Sequence, residues 1–147
     1  MSPTPDCRAH RGYYGRAMPG RKPTLALVED VPRDATIIID ALATHGVELD
    51  VVWLRSGTRA QEYFAHQTHA PCVALIDLEL GDQVHGFEVL RTIRDNPATA
   101  EMPVVVVTSW DTKRHRELAE VFGVEVFEKP YKLAGYAPLA ERLRGLI

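Results

Sequence analysis

Apolar residues fall into five short runs, separated by longer stretches in which apolar positions recur with helical spacing. The runs at 24–28, 47–54, 72–80, 103–108 and 124–127 have strand length and β-branched content, and four end at a charged or hydroxyl side chain. Runs of this kind, bounded by turn residues, predict strands buried on both faces. Between the first two, Pro32 opens a helix as a first-turn proline, Ala35, Ile38, Ala41 and Leu42 share one face, and Gly46 ends it. A second helix is predicted over 58–67 with Ala60, Tyr63 and Phe64 inward. A third spans 87–96 with Phe87, Val89, Leu90 and Ile93 inward, stopped by Pro97. Asp111 suits the N-cap of a fourth helix over 112–122, closed by Gly123. The last helix covers 132–146, with Pro138 positioned to kink it or delay its start. Strands that alternate with helices predict an α/β fold, with a parallel sheet carrying helices on both faces.

In a parallel sheet the carboxyl ends of all strands lie along one edge, where ligands bind. At that edge the first strand ends in Glu29-Asp30, the third in Asp77, the fourth in Thr108 and the fifth in Lys129-Pro130. Three clustered carboxylates repel one another, and one lysine cannot neutralise them. A divalent cation can, and Mg2+ takes its ligands from a few carboxylates while keeping open positions for water or substrate oxygens. A carboxylate, a metal, an ammonium and a hydroxyl together suit a phosphoryl group.

Composition narrows this further. The 147 residues fit one domain, and 46% hydrophobic with 25% charged content is that of a globular chain. The net charge of −3 is uneven: Arg8, Arg11, Arg16, Arg21 and Lys22 against Asp6 leave residues 1–22 at +4 and the remainder at −7. An acidic body argues against a general nucleic-acid surface. Residues 1–23, with four prolines, three glycines and no period, are expected to form a flexible basic tail ahead of a domain at 24–147. No apolar run reaches the ~20 residues of a membrane helix, and no signal-type segment opens the chain, so a cytoplasmic protein is expected, with no membrane partner. Cys7 and Cys72 lie in the tail and at a strand start, which predicts no structural disulfide. His66 and His69 lack a nearby third ligand and are expected at the surface.

The four strand-end pieces, Leu27-Val28-Glu29-Asp30, Leu75-Ile76-Asp77-Leu78, Val106-Val107-Thr108-Ser109 and Glu128-Lys129-Pro130, resemble in order and spacing the receiver domain of bacterial two-component response regulators. The resemblance covers about residues 24–147. It implies a flavodoxin-like (βα)5 fold with strand order 2-1-3-4-5. It also implies that Asp77 accepts a phosphoryl group from a phosphohistidine of a sensor histidine kinase or phosphotransfer protein. Asp30 would hold Mg2+ directly and Glu29 through water, with Asp77 and the backbone carbonyl of Glu79 as further ligands. Lys129 would pair with Asp77 and then with the phosphoryl oxygens, and Thr108 would move to bond the phosphoryl group.

The sequence departs from the receiver pattern in places. The proline usual four residues after the phosphoacceptor is Gly81, and the following glycine comes one position late, at Gly86, so this loop is longer and more flexible. Three residues before Lys129, where receivers carry a switch aromatic, stands Val126, with Phe127 beside it. Trp110 is placed to shield an acyl phosphate or, equally, to serve as a partner contact, and Glu79 is placed to orient or repel water.

Because the chain ends at Ile147, directly after the last helix, the expectation is a stand-alone response regulator. It would not be an enzyme beyond its own phosphorylation and dephosphorylation. Its output would be phosphorylation-dependent binding of a downstream protein, with homodimerisation a further mode. The alternatives are a phosphorylation-independent binding module of the same fold and, further off, an aspartyl-phosphate hydrolase.

Overall fold

The computed structural model describes residues 22–109 and 112–147. The expectations for the basic tail, for Trp110 and for Asp111 concern residues outside that range, apart from Lys22 and Pro23. Five strands alternate with helices: β1 (Thr24–Val28), α1 (Pro32–Thr44), β2 (Asp50–Leu54), α2 (Gly57–Ala65), β3 (Val73–Asp77), α3 (Gly86–Asp95), β4 (Val104–Thr108), α4 (Lys113–Phe122), β5 (Glu125–Glu128) and α5 (Ala137–Leu146). All neighbouring strands pair in parallel, in the order β2-β1-β3-β4-β5, as the resemblance implied.

Period-2 alternation divides the central strands between two cores. Leu25, Leu27, Val73, Leu75, Val105 and Val107 face α1 and α5. Ala26, Val28, Ala74, Ile76, Val104 and Val106 face α2 and α3. This is why β1, β3 and β4 read as unbroken apolar runs: neither face meets water. The inward face of α1 is the one that helical spacing predicts, Ala35, Ile38, Ala41 and Leu42. Val89, Leu90 and Ile93 of α3 are buried likewise.

Element ends differ from the sequence reading where partners or caps decide them. β2 begins at Asp50, whose amide donates to the Pro23 carbonyl at 2.9 Å, while the Val47 amide donates to Leu42 at 2.9 Å to close α1. Ser56 caps α2 by accepting from the Arg59 amide at 3.1 Å. Thr112 caps α4, its hydroxyl accepting from the His115 amide at 3.2 Å. Pro138 delays α5, and a 3-10 turn at Leu133–Tyr136 precedes it. His66 and His69 are exposed, as expected.

Cys72, buried at the start of β3, is disulfide-bonded, which corrects the expectation of unpaired cysteines; its partner lies outside the described residues. The argument from cysteines for a reducing compartment falls with it. Among the described residues, no helix is long and apolar enough to cross a membrane.

Candidate functional site

Parallel register brings the strand ends together. β1 and β4 both flank β3, with Val28 beside Ile76 and Val107 beside Asp77. β5 follows at Thr108 beside Glu128, and the Lys129 amide donates to the Thr108 carbonyl at 2.8 Å. Glu29, Asp77 and Thr108 are buried.

Lys129 is the hub of the cluster. Its ammonium donates to Glu29 Oε2 at 2.9 Å, Asp77 Oδ2 at 2.9 Å and Asp34 Oδ2 at 3.0 Å. Burial works against the charge, but the bonds to Glu29 and Asp77 and the Asp77 charge outweigh it and raise the lysine's pKa. Lys129 stays a cation here, one positive charge among three acidic side chains. Asp34 belongs to this cluster and sequence reasoning missed it. It sits one helical turn after Asp30, on the first turn of α1, where an acidic residue is unremarkable as a favourable partner of the helix dipole.

The β3–α3 loop supplies backbone donors to the same cluster. The Glu79 amide donates to Asp77 Oδ1 at 2.8 Å, and the Gly81 amide to Asp30 Oδ2 at 2.7 Å. Gly81 thereby acquires a reason. Proline has no amide hydrogen to give, and a Cβ here would lie 2.7 Å from the Asp30 carboxylate. Gly86 is required by close approach as well, since a Cβ would meet the Asp77 carbonyl oxygen at 2.7 Å and Leu78 Cα at 2.8 Å.

The carboxylates suit a cation. Asp30 Oδ1 is buried and has no hydrogen-bond partner. Glu29, Asp30 and Asp77 each offer an oxygen within 4.8 Å of the others. Oxygens on opposite sides of an Mg2+ ion lie ~4.2 Å apart, so one ion matches the span. Oxygen donors alone, two of them on buried carboxylates, are the set a hard divalent cation takes.

Desolvation, then the hydrogen bond and charge of Asp77, raise the Glu29 pKa from 4.5 to about 8 against the opposing pull of Lys129. Between these values the folded metal-free protein keeps a proton that the unfolded chain has released. Unfolding then sheds that proton, so rising pH favours the unfolded state. Urea midpoints in the presence of a chelator are expected to fall from about pH 5 to pH 8, and the fall to shrink in Glu29→Gln. A flat or rising profile would contradict this coupling.

The Thr108 hydroxyl bonds the Glu79 side chain, where desolvation and the Asp77 charge raise the carboxyl's pKa while Lys129, His115 and this bond oppose them. The indole of Trp53 donates to the Glu29 carbonyl at 2.8 Å, a second contact that sequence reasoning missed. Phe127 packs with the α1–α5 core, its ring 6.2 Å from Tyr136, whereas Val126 packs with the opposite core that includes α4's Phe122. Strand alternation thus aims Phe127 away from α4, and it does not take over the switch position.

Comparison with known proteins adds the following. The family profile described as "Response regulator receiver domain" matches residues 25–135. Response regulator Rcp1 of Synechocystis sp. is 32% identical over 90 residues, which is 58% of this chain and 60% of Rcp1, less than two thirds of that relative's length. The structure of Rcp1 in its Mn2+-bound form superposes with a TM-score of 0.71 at 25% identity, covering 84% of this chain and 92% of that one. The phosphorylated cyanobacterial phytochrome response regulator RcpA gives 0.73 at 26% identity, with the same coverage of 84% and 92%. The receiver domain of sensor histidine kinase PA1611 from Pseudomonas aeruginosa, with a magnesium ion in its active-site cleft, gives 0.68 at 25% identity over 85% of this chain and 99% of that one.

Proposed function

The chain belongs to the response regulator receiver domain family, and from that premise we propose that it accepts a phosphoryl group on Asp77 and signals by changing the protein it binds. The donor is the phosphohistidine of a sensor histidine kinase or a histidine phosphotransfer protein. The domain comprises residues 24–147, preceded in the chain by the basic stretch 1–23, and the protein works in the cytoplasm. One observation carries the reading: the Asp77 carboxylate is buried between the Lys129 ammonium and the Glu79 amide, beside a buried Asp30 oxygen that has no partner.

Asp30, Asp77 and the Glu79 carbonyl would hold Mg2+, with Glu29 behind them through water. When bound, the ion neutralises the carboxylates and the developing charge on the phosphoryl oxygens. An Asp77 oxygen forms the new bond to phosphorus as the phosphorus–nitrogen bond of the donor breaks. The imidazole nitrogen keeps that electron pair and takes up a proton. Lys129, already held against Asp77, keeps its charge beside the transferred group. The Thr108 hydroxyl leaves Glu79 and donates to a phosphoryl oxygen. That turn couples the site to the β4–α4 segment, a two-position element of the kind that phosphorylation biases. With Val126 in place of an aromatic, β5 follows this movement weakly, and the output surface is that of α4 and its flanking loops, for a downstream protein or a second copy of the chain.

The test is incubation with acetyl phosphate or phosphoramidate, with and without Mg2+, read by intact mass and peptide mapping. The reading expects one phosphoryl group per chain, Mg2+-dependent and carried on the peptide containing Asp77. No uptake by the folded protein would favour a phosphorylation-independent binding module. Many turnovers of phosphate release with no standing adduct would favour a hydrolase.

A further inference from the structure

The β3–α3 loop does most of the backbone work at the site, yet it is flanked by Gly81 and Gly86 and is exposed over Gly81–Gln83. Two of its amides hold Asp77 and Asp30 in place. A glycine-bounded loop of this kind has large conformational freedom to lose. Something must hold it, and the proline that would stiffen it is absent.

The residue after Gly81 supplies the hold. Asp82 Oδ2 accepts from the Thr58 amide at 2.9 Å and the Thr58 hydroxyl at 2.8 Å, and Oδ1 from the Gly57 amide at 3.3 Å. Oδ1 also accepts from the Val84 amide at 3.3 Å within its own loop. The slight burial of Asp82 works against its charge, but the Thr58 amide and hydroxyl, then the Val84 and Gly57 amides, hold its carboxyl below the usual range. Two free amides at the start of α2 and the helix dipole favour an anion in this place. Gly57 permits the approach, since a Cβ there would lie 2.2 Å from the Val84 carbonyl oxygen. Ser56 already supplies the ordinary cap of α2 through the Arg59 amide, so Asp82 is a second, tertiary cap that ties the loop to the helix.

We propose that Asp82 is a positioning residue for the phosphoryl-transfer site: by clamping the β3–α3 loop to the N-terminus of α2, it holds the Glu79 and Gly81 backbone where the cation and the carboxylates need it. The inference rests on the receiver reading of the site. It predicts that the clamp contributes to metal affinity as well as to folding.

The test measures binding of Mg2+ alone by calorimetry, well below the thermal midpoint, with amide hydrogen exchange of the loop alongside. Asp82→Ala is expected to weaken Mg2+ binding about fivefold, the equivalent of one lost capping interaction, and to speed exchange at Glu79 and Gly81. Asp82→Asn, which keeps one acceptor, falls between. Gly57→Ala, which pushes the loop off the helix and leaves Asp82 intact, weakens binding as Asp82→Ala does. Ser56→Ala removes the ordinary cap and leaves Mg2+ affinity unchanged. Asp82→Ala binding Mg2+ within twofold of wild type would overturn the proposal and leave the receiver reading intact. So would an equal loss in Ser56→Ala, which would reduce Asp82 to a helix cap. A wild-type protein that binds no Mg2+ would overturn the receiver reading, and the clamp's role with it.

Discussion

Asp77→Asn is expected to take up no phosphoryl group under conditions in which the wild-type chain gains one, while keeping its fold. The amide oxygen is neutral and cannot form the acyl phosphate. The two hydrogen bonds on Asp77 also cannot both survive, because an amide offers one acceptor and the carboxylate now receives both Glu79 and Lys129. The lost bond to a charged group is worth about 1.5–3 kcal/mol. Against it stands relief of repulsion, since the hydrogen bond and charge of Asp77 are two of the three causes that raise Glu29. The opposing effects are of similar size, so the metal-free variant should unfold within about 1–2 kcal/mol of wild type. Its Glu29 should titrate closer to the ordinary carboxylate range and flatten the pH profile of stability. Intact mass after acetyl phosphate, with urea midpoints at two pH values, decides both halves. Phosphorylation at wild-type level would remove Asp77 as the acceptor.

Lys129→Ala is expected to be the most destabilising single change at the site. The lysine is the one hydrogen-bonding cation between Glu29 and Asp77, whose side chains are 1% and 3% exposed. Removing one partner from a buried ion pair leaves an uncompensated charge and costs about 3–5 kcal/mol. Asp34 adds less, because its side chain is 35% exposed and water screens it. Against a typical total stability of ~5–15 kcal/mol, the loss is a large fraction. Two additions should recover part of it. Saturating Mg2+ supplies the missing positive charge and stabilises by mass action. Glu29→Gln in the same chain removes one of the two buried acidic groups that lose their Lys129 partner, so the double variant should be more stable than the sum of the singles. Denaturant midpoints for the four variants of the cycle measure this directly. A Lys129→Ala protein as stable as wild type without metal would show that the carboxylates pair elsewhere.

The sequence by itself determined the alternation of strands and helices, the faces of α1 and α3, and the meeting of Glu29, Asp30, Asp77, Thr108 and Lys129 at one edge. These were legible because strands buried on both faces leave unbroken apolar runs, and because parallel strands must all point their carboxyl ends the same way. The residues that end β1, β3, β4 and β5 are therefore brought to one edge by topology alone. The tertiary structure decided what depends on side-chain direction and on contacts between distant segments. Asp34 looks like any acid in a first helical turn until Lys129 arrives from 95 residues away. Asp82 reads as a loop residue until its carboxylate meets the free amides of α2. Phe127 and Val126 are adjacent in sequence, and strand alternation sends them to opposite faces of the sheet. The pairing of Thr108 with Glu79 joins the end of β4 to the loop after β3, and no periodicity within either strand encodes it. Local pattern reports burial and direction along one segment, while hydrogen bonds between segments exist only once the sheet has set their distance.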